Sequence, residues 1–432
     1  MKRLLMNNLL KWKAKKNRKP LIIRGARQVG KTWLMKEFGR THYKNTIYIN
    51  FDNNERMKQV FSLDMDINRI ISALKIEAGK NISPEDTLLI FDEIQEVPTA
   101  LSSLKYFYED APEYHVVAAG SLLGVALHAG TSFPVGKVDF LNLYPLNFRE
   151  FLSAIGETNL SDLLENPDYT MINAFSSKYT DLLRRYYYVG GMPEAVQTYI
   201  DTDDLTEVRS IQNALLEYYA NDFSKHAPKD TVPRIQMVWQ SIPMQLAKEN
   251  KKFIYGVIRE GARAKDFELA IQWLQDCGLI LKSNRITKPG MPLIAYMEMN
   301  HFKIYMHDVG LLAARGNLHP RVLLEGNRIF EEFKGALTEQ YVAQELISSG
   351  RSLFYYSKEN SSGELDFVLQ EKTNIIPLEV KAEENLRAKS LQAYCQKYQP
   401  NVAIRTSMSN YREQDWMVNI PLYSLCCFLD TL

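Results

Sequence analysis

Three groups of residues in this chain have the types and spacing to do chemistry. The first is Gly25-Ala26-Arg27-Gln28-Val29-Gly30-Lys31-Thr32, which fits G-x-x-x-x-G-K-[ST]. Glycines at those places let a backbone wrap tightly enough to aim N–H groups at phosphate oxygens. A lysine then reaches the β/γ-phosphates and a hydroxyl binds Mg²⁺. Gly25, Ala26, Arg27, Gln28, Val29, Gly30, Lys31, Thr32 and Trp33 form the candidate nucleotide-binding set, with ATP and Mg²⁺ as the expected ligands. The second group is Asp92-Glu93, some sixty residues on, behind the apolar run Leu88-Leu89-Ile90-Phe91. Asp92 suits Mg²⁺, together with Thr32, and Glu93 suits a general base that orients or deprotonates the attacking water. The third is Glu339, Asp366, Glu379 and Lys381. Carboxylates of this kind can hold Mg²⁺ or Mn²⁺ while a lysine positions water for phosphodiester attack.

These groups need elements to hold them. Pro20 to Arg24 reads as a buried strand entering the loop, and Trp33 to Phe38 as the helix leaving it, whose N-terminus adds partial positive charge. Further strands are expected at Thr46–Phe51, Leu88–Phe91 and His115–Ala119, and a helix at Asp66–Ala78 with Ile67, Ile70, Ile71 and Leu74 on one face. Strands alternating with helices predict a parallel sheet covered on both faces, with ligands at the C-terminal strand edge. Ser121, behind His115–Ala119, is either a catalytic sensor of the γ-phosphate or part of a plain Gly-Ser turn. Arg149, Arg184, Arg185 and Lys137 are the candidates for a cation that neutralises transition-state charge, and the sequence does not choose among them.

The fold class expected is α/β: a P-loop NTPase sheet with helices on both faces, a helical and winged-helix region, and an α/β nuclease-like C-terminal domain. The expected boundaries are 1–150, 151–228, 229–315 and 316–432. Asn166-Pro167 and Gly190-Gly191-Met192-Pro193 break the helical region. A helix at Asp266–Gly278 and two strands flanking Lys288–Pro292 predict the winged helix. The helix's outer face carries Asp266, Glu268, Gln272 and Asp276, which oppose phosphate approach. Lys282, Arg285 and Lys288 on the wing, and Arg259 and Arg263 before it, are better placed. Tyr186-Tyr187-Tyr188 is read as packing.

The 432 residues are 46% hydrophobic and 24% charged, with a formal net charge of +1, which gives no global pull toward nucleic acid or membrane. Before Glu37 there are basic residues from Lys2 to Arg27 and no acid. That is either a polyanion footprint or a solvated helix face plus phosphate-site charge. Cys277, Cys395, Cys426 and Cys427 suit neither a zinc site nor a disulfide framework. No signal-peptide core precedes the loop, and the apolar run Val116–Leu127 is short and interrupted, so a cytoplasmic protein without membrane contact is expected.

Residues 1 to about 150 resemble the AAA-type ATPase domain of a widespread prokaryotic family that pairs it with a C-terminal region of unknown function. The resemblance rests on Gly25–Thr32, Asp92-Glu93-Ile94-Gln95, Gly120-Ser121, Tyr144-Pro145-Leu146 with Phe148, and Gly190-Gly191-Met192-Pro193. Many relatives have Gly-Arg where this chain has Gly136-Lys137, a point charge instead of a planar fork. The family's C-terminal region is similar to the PD-(D/E)XK restriction-endonuclease-like fold, whose order of helix-Glu, Asp and Glu-x-Lys is met by Glu339, Asp366, Glu379 and Lys381. The implied function is a Mg²⁺-dependent ATPase coupled to a nuclease-like module, with nucleic acid, DNA in particular, as candidate partner. One alternative is a nucleotide-controlled switch that binds protein partners or its own copies and cuts nothing. Another is a nuclease that the ATPase only gates.

Overall fold

A computed structural model of the chain describes residues 1–120, 133–248, 251–324, 331–357, 363–382 and 388–432. Packing divides it into two compact units: Lys2–Tyr144 with Asp276–Gly278, and Met1 with Pro145–Gln275 and Leu279–Leu432.

In the first unit the four expected runs become the parallel strands β1 (Leu21–Arg24), β2 (Asn45–Asn50), β3 (Thr87–Asp92) and β4 (His115–Ala119), joined by a fifth that the sequence did not announce, β5 (Asp139–Asn142). Their order is β2-β3-β4-β1-β5. β3 and β4 are buried at every residue, as continuous rather than alternating apolar runs require of a sheet covered on both faces. The expected helix forms over Ile67–Ala78. The Asp66 carboxylate accepts from the Asn68 and Arg69 amides at its start, and Gly79 ends it at φ +61°. Ile70 and Leu74 on its inner face pack into one core with Ile47, Ile49, Leu89, Phe91 and Phe107. Because all five strands run the same way, the C-terminal ends of β1, β3, β4 and β5 share one sheet edge. Ser121 lies outside the described residues.

The basic residues before Glu37 mostly have internal work. Lys15 pairs with Asp139 at 2.9 Å, Lys19 donates to the Gly136 carbonyl at 2.7 Å, and Arg18 lies over the Trp12 ring.

The second unit opens with helices at Phe148–Ala154, Thr158–Glu165, Tyr169–Ala174, Ser176–Val189, Pro193–Thr202 and Leu205–His226. Asn147 and Glu150 form a capping box at the first of them. The Gly190-Gly191 pair has a packing reason. A Cβ on Gly190 would lie 2.3 Å from an Asp308 oxygen, and one on Gly191 would lie 2.0 Å from the Leu146 carbonyl oxygen. Gly191 N–H donates to Asp308 at 2.7 Å, and Leu146 N–H to the Gly191 carbonyl at 2.7 Å. Tyr186, Tyr187 and Tyr188 are all buried.

Helices at Val232–Leu246, Tyr255–Ile258 and Ala264–Asp276 precede an antiparallel hairpin, β6 (Ile280–Ile286) and β7 (Met297–Met306). After the Glu331–Ser348 helix come β8 (Phe354–Ser357), β9 (Glu364–Leu365), β10 (Phe367–Glu371) and β11 (Asn374–Val380). The Lys389–Tyr398 helix and the strands β12 (Ile404–Ser407), β13 (Arg412–Gln414) and β14 (Met417–Pro421) follow. One sheet runs β10-β11-β12-β14-β13 and another β7-β6-β8-β9. β6 pairs with β8 in parallel, so strands on either side of the expected 315/316 boundary share a sheet. Alternation marks strands but says nothing of such long-range partners.

Candidate nucleotide site and the C-terminal carboxylates

The loop after β1 has the backbone the motif requires. Gly25 has φ +152°, Gln28 +65° and Gly30 +93°, the last as the left-handed residue from which the Lys31–His42 helix starts. A Cβ on Gly25 would lie 2.2 Å from the Leu143 carbonyl oxygen, so only glycine fits. Lys31 is buried, and its Nζ donates to the Gly25 carbonyl at 2.9 Å and the Ala26 carbonyl at 2.7 Å. Burial lowers its pKa to about 8, against the raising effect of Glu93 and Asp92. Trp33 is half-exposed on the first turn of the helix.

Thr32 Oγ1 donates to Asp92 Oδ2 at 2.6 Å, joining the loop after β1 to the tip of β3. A hydroxyl that gives its proton to a carboxylate keeps its lone pairs for a cation, so the pair fits Mg²⁺, which takes one or two protein oxygens beside phosphates and water. The Tyr48 hydroxyl donates to the same Asp92 oxygen at 2.9 Å. Burial first, and Asp92 second, push the Tyr48 phenol well above its usual range, so it stays a donor. Glu93 follows at φ +50°, an uncommon conformation for this residue, and Gln95 Nε2 donates to its Oε2 at 2.6 Å. Tyr48 was not singled out by motif, since it is recognisable only once strand register is known; Gln95 stood in the Asp92–Gln95 segment, but its bond to Glu93 depends on the turn after β3.

The four cation candidates are all engaged. Lys137 pairs with Glu109 at 2.9 Å, Arg149 with Glu165 at 2.7 Å, and Arg184 with Asp181 at 3.6 Å. Arg185 donates to the Tyr199 hydroxyl at 2.6 Å. On the hairpin, Arg285 is buried and pairs with Glu298 at 2.9 Å, and Lys282 lies 4.3 Å above the Phe302 ring. Of the expected basic wing, only Lys288 is exposed.

In the C-terminal part Glu339 is buried on the Glu331–Ser348 helix. It accepts from the Tyr305 hydroxyl at 2.5 Å, from Lys303 Nζ at 3.0 Å and from Lys251 Nζ. Lys303, itself 1% exposed, also pairs with Glu364 at 2.7 Å. Despite burial, the two lysines hold Glu339 down at about 2. Asp366 sits at the break between β9 and β10 and accepts from the Val380 amide at 2.8 Å. It keeps some solvent exposure yet lies deep among protein atoms. That burial first, and then the Glu339 charge, raise it to about 7. Glu379 pairs with Lys381 at 2.6 Å and accepts from the Leu391 amide at 3.3 Å. Thus Glu339 and Asp366 come together, but with Lys251, Lys303, Tyr305 and Glu364, which sequence reasoning did not place there. Among the described residues no group of three or more His, Cys, Asp or Glu is set to hold a metal ion, so the expected second Mg²⁺ or Mn²⁺ finds no such cluster.

Residues 17–152 match the profile of an AAA domain, while residues 180–321 and 334–425 each match a domain of unknown function. No curated protein matches the chain. Among solved structures it is similar to a Walker-type ATPase of Pyrococcus abyssi, with 15% identity and a TM-score of 0.46 over 73% of this chain and 95% of that one. It is also similar to the Aeropyrum pernix Orc1 protein in complex with DNA, with 13% identity and a TM-score of 0.26 over 73% and 90%. AMPPCP-bound DnaA of Aquifex aeolicus gives 13% identity and 0.25 over 63% and 86%. Residues 17–152, with the phosphate loop and the parallel sheet, are thus an AAA-type P-loop domain. Among the described residues no helix is long and apolar enough to cross a membrane.

Proposed function

We propose that this chain is a Mg²⁺-dependent ATPase that works as a nucleotide-controlled switch, and that its nuclease-like C-terminal domain binds a partner without cutting nucleic acid. The observation that carries the first half is the 2.6 Å bond from Thr32 to Asp92, with Lys31 and Glu93 beside it on the same sheet edge. Gly25 to Trp33 hold the phosphates, Lys31 supplies the charge, and Thr32 and Asp92 hold Mg²⁺. The bound ion neutralises charge developing on the phosphate oxygens. Glu93, oriented by Gln95, takes the proton of the attacking water.

Lys31 gives this reading a pH signature. An ammonium lowered to about 8 is partly deprotonated near that pH, and a polyphosphate favours the charged form. ATP binding therefore takes up protons at pH 8, and much less at pH 6.5, where Lys31 is already charged. Calorimetry in buffers of different ionisation enthalpy measures this. Equal uptake at both pH values, or none, would count against Lys31 as the phosphate-binding group.

The second half rests on the ammonium groups of Lys251 and Lys303 that neutralise Glu339. The helix, the four strands β8 to β11, the helix and the strand β12 from Glu331 to Ser407, with Phe367 opposite Leu378, support the restriction-endonuclease-like fold. The helices and hairpin of 232–306 support a winged helix, in which Arg285 is taken up by Glu298 while Arg259, Arg263 and Lys288 stay exposed. The deciding experiment incubates the full chain with plasmid and single-stranded DNA, with Mg²⁺ or Mn²⁺, with and without ATP. The expected result is Mg²⁺-dependent ATP hydrolysis and intact DNA. Cleavage that Asp366→Ala abolishes would instead establish the nuclease reading.

A further inference from the structure

Arg3 is not part of any motif, yet it is 5% exposed and ends on the phosphate loop. Its Nη1 donates to the Val29 carbonyl at 2.9 Å and its Nη2 to the Tyr144 carbonyl at 2.5 Å. A planar guanidinium gives two separate nitrogens to two carbonyls in fixed directions, where a lysine ammonium offers a single nitrogen on a flexible stem. In a trans peptide the carbonyl and the following N–H point opposite ways. Holding the Val29 carbonyl on Arg3 therefore fixes the direction of the Gly30 N–H, a phosphate-binding group of the motif. The second carbonyl belongs to the last residue of the first unit before Pro145. The neighbouring residue meets the loop at its other end: Leu143 N–H donates to the Arg24 carbonyl at 2.7 Å, and the Leu143 carbonyl packs on Gly25. Residues 143 and 144 are thus fastened to the loop both where it begins and, through Arg3, just before its helix.

We infer that Arg3 is a positioning residue for nucleotide binding: its guanidinium sets the crest of the phosphate loop and ties it to the Leu143-Tyr144 exit segment, so that ATP occupancy is felt where the chain leaves the ATPase unit. This rests on the ATPase reading above. A solvated basic residue near the start of a chain would do none of this. Nor would a plain structural arginine, whose loss would loosen the segment equally with and without ATP.

The test uses the full chain as wild type, Arg3→Lys and Arg3→Met, with fluorescent mant-ATP titration, circular-dichroism melting, and amide exchange of residues 25–32 and 143–148 with and without ATP. Arg3→Lys keeps the charge and one of the two bonds, and it carries the decision should Arg3→Met fail to fold. Wild type is expected to bind ATP and to gain exchange protection in both segments. Arg3→Lys should bind at least about tenfold more weakly, near 1.4 kcal/mol. At saturating ATP it should protect 25–32 but no longer 143–148. Wild-type affinity together with wild-type protection of 143–148 in Arg3→Lys would overturn the inference while leaving the ATPase reading intact. Wild-type protein that does not bind ATP would overturn both.

Discussion

Glu93→Gln protein is expected to bind Mg²⁺–ATP about as well as wild type and to hydrolyse it about 10²–10⁴-fold more slowly, the range that a positioned general base contributes. The exchange removes the basic oxygen and keeps the shape. Glu93 stands at φ +50° just past β3, and its Oε2 accepts a hydrogen bond from Gln95 Nε2 at 2.6 Å, which orients the carboxylate. Glutamine still offers Gln95 an oxygen acceptor, so ground-state binding stays. Lys31→Ala is the contrasting case. Its Nζ now rests on the Gly25 and Ala26 carbonyls, ready to be exchanged for phosphate oxygens, and its loss should remove binding itself. Equilibrium mant-ATP titration with single-turnover hydrolysis separates the two defects. Wild-type turnover in Glu93→Gln would strip Glu93 of its role, and another group at the same sheet edge would have to be sought.

The legible part of this chain is the part whose physics is local. The phosphate loop reads directly because the backbone angles at Gly25 and Gly30 demand glycine, with Lys31 and Thr32 fixed immediately after. β1, β3 and β4 read because their apolar runs are continuous, as a sheet buried on both faces requires. What stayed hidden depends on partners far along the chain. Tyr48 reaches Asp92 because β2 lies beside β3, and Arg3 reaches Tyr144 across 141 positions. The C-terminal carboxylates show the same limit more sharply. Alternation placed Glu379 and Lys381 on one face, and their 2.6 Å pairing agrees. Yet no period in the sequence could announce that Lys303, on β7, inserts its ammonium between Glu339 and Glu364, or that Lys251 joins it. A basic residue counted toward a DNA-contacting hairpin, Arg285, is buried by the same kind of long-range pairing.

Lys303→Met should destabilise the second unit by about 3–5 kcal/mol at pH 8, the cost typical of breaking a buried ion pair and leaving its partner's charge uncompensated. Lys303 is the fully buried cation of the cluster, facing Glu339 at 3.0 Å and Glu364 at 2.7 Å, with Asp366 close enough to feel its charge. Methionine matches its length and apolar stem but leaves three acids with only Lys251 to neutralise them. The sign with pH follows from Asp366. Its folded pKa, raised to about 7, lies above its ordinary value. Its stabilising contribution is therefore complete below about pH 4 and is lost as pH rises through 7. Removing the ammonium that holds Asp366 down raises it further and steepens that loss. The variant should accordingly recover much of its stability at pH 5, read as the urea midpoint for exchange protection of the Glu331–Ser348 helix. Millimolar Mn²⁺ should leave the wild-type midpoint unmoved, because the Lys303 ammonium already neutralises the acids. A midpoint for Lys303→Met within about 1 kcal/mol of wild type at pH 8 would mean that the acids are not charged against one another as drawn here. A wild-type midpoint raised by Mn²⁺ would return the cluster to the metal-binding reading and, with it, the question of cleavage.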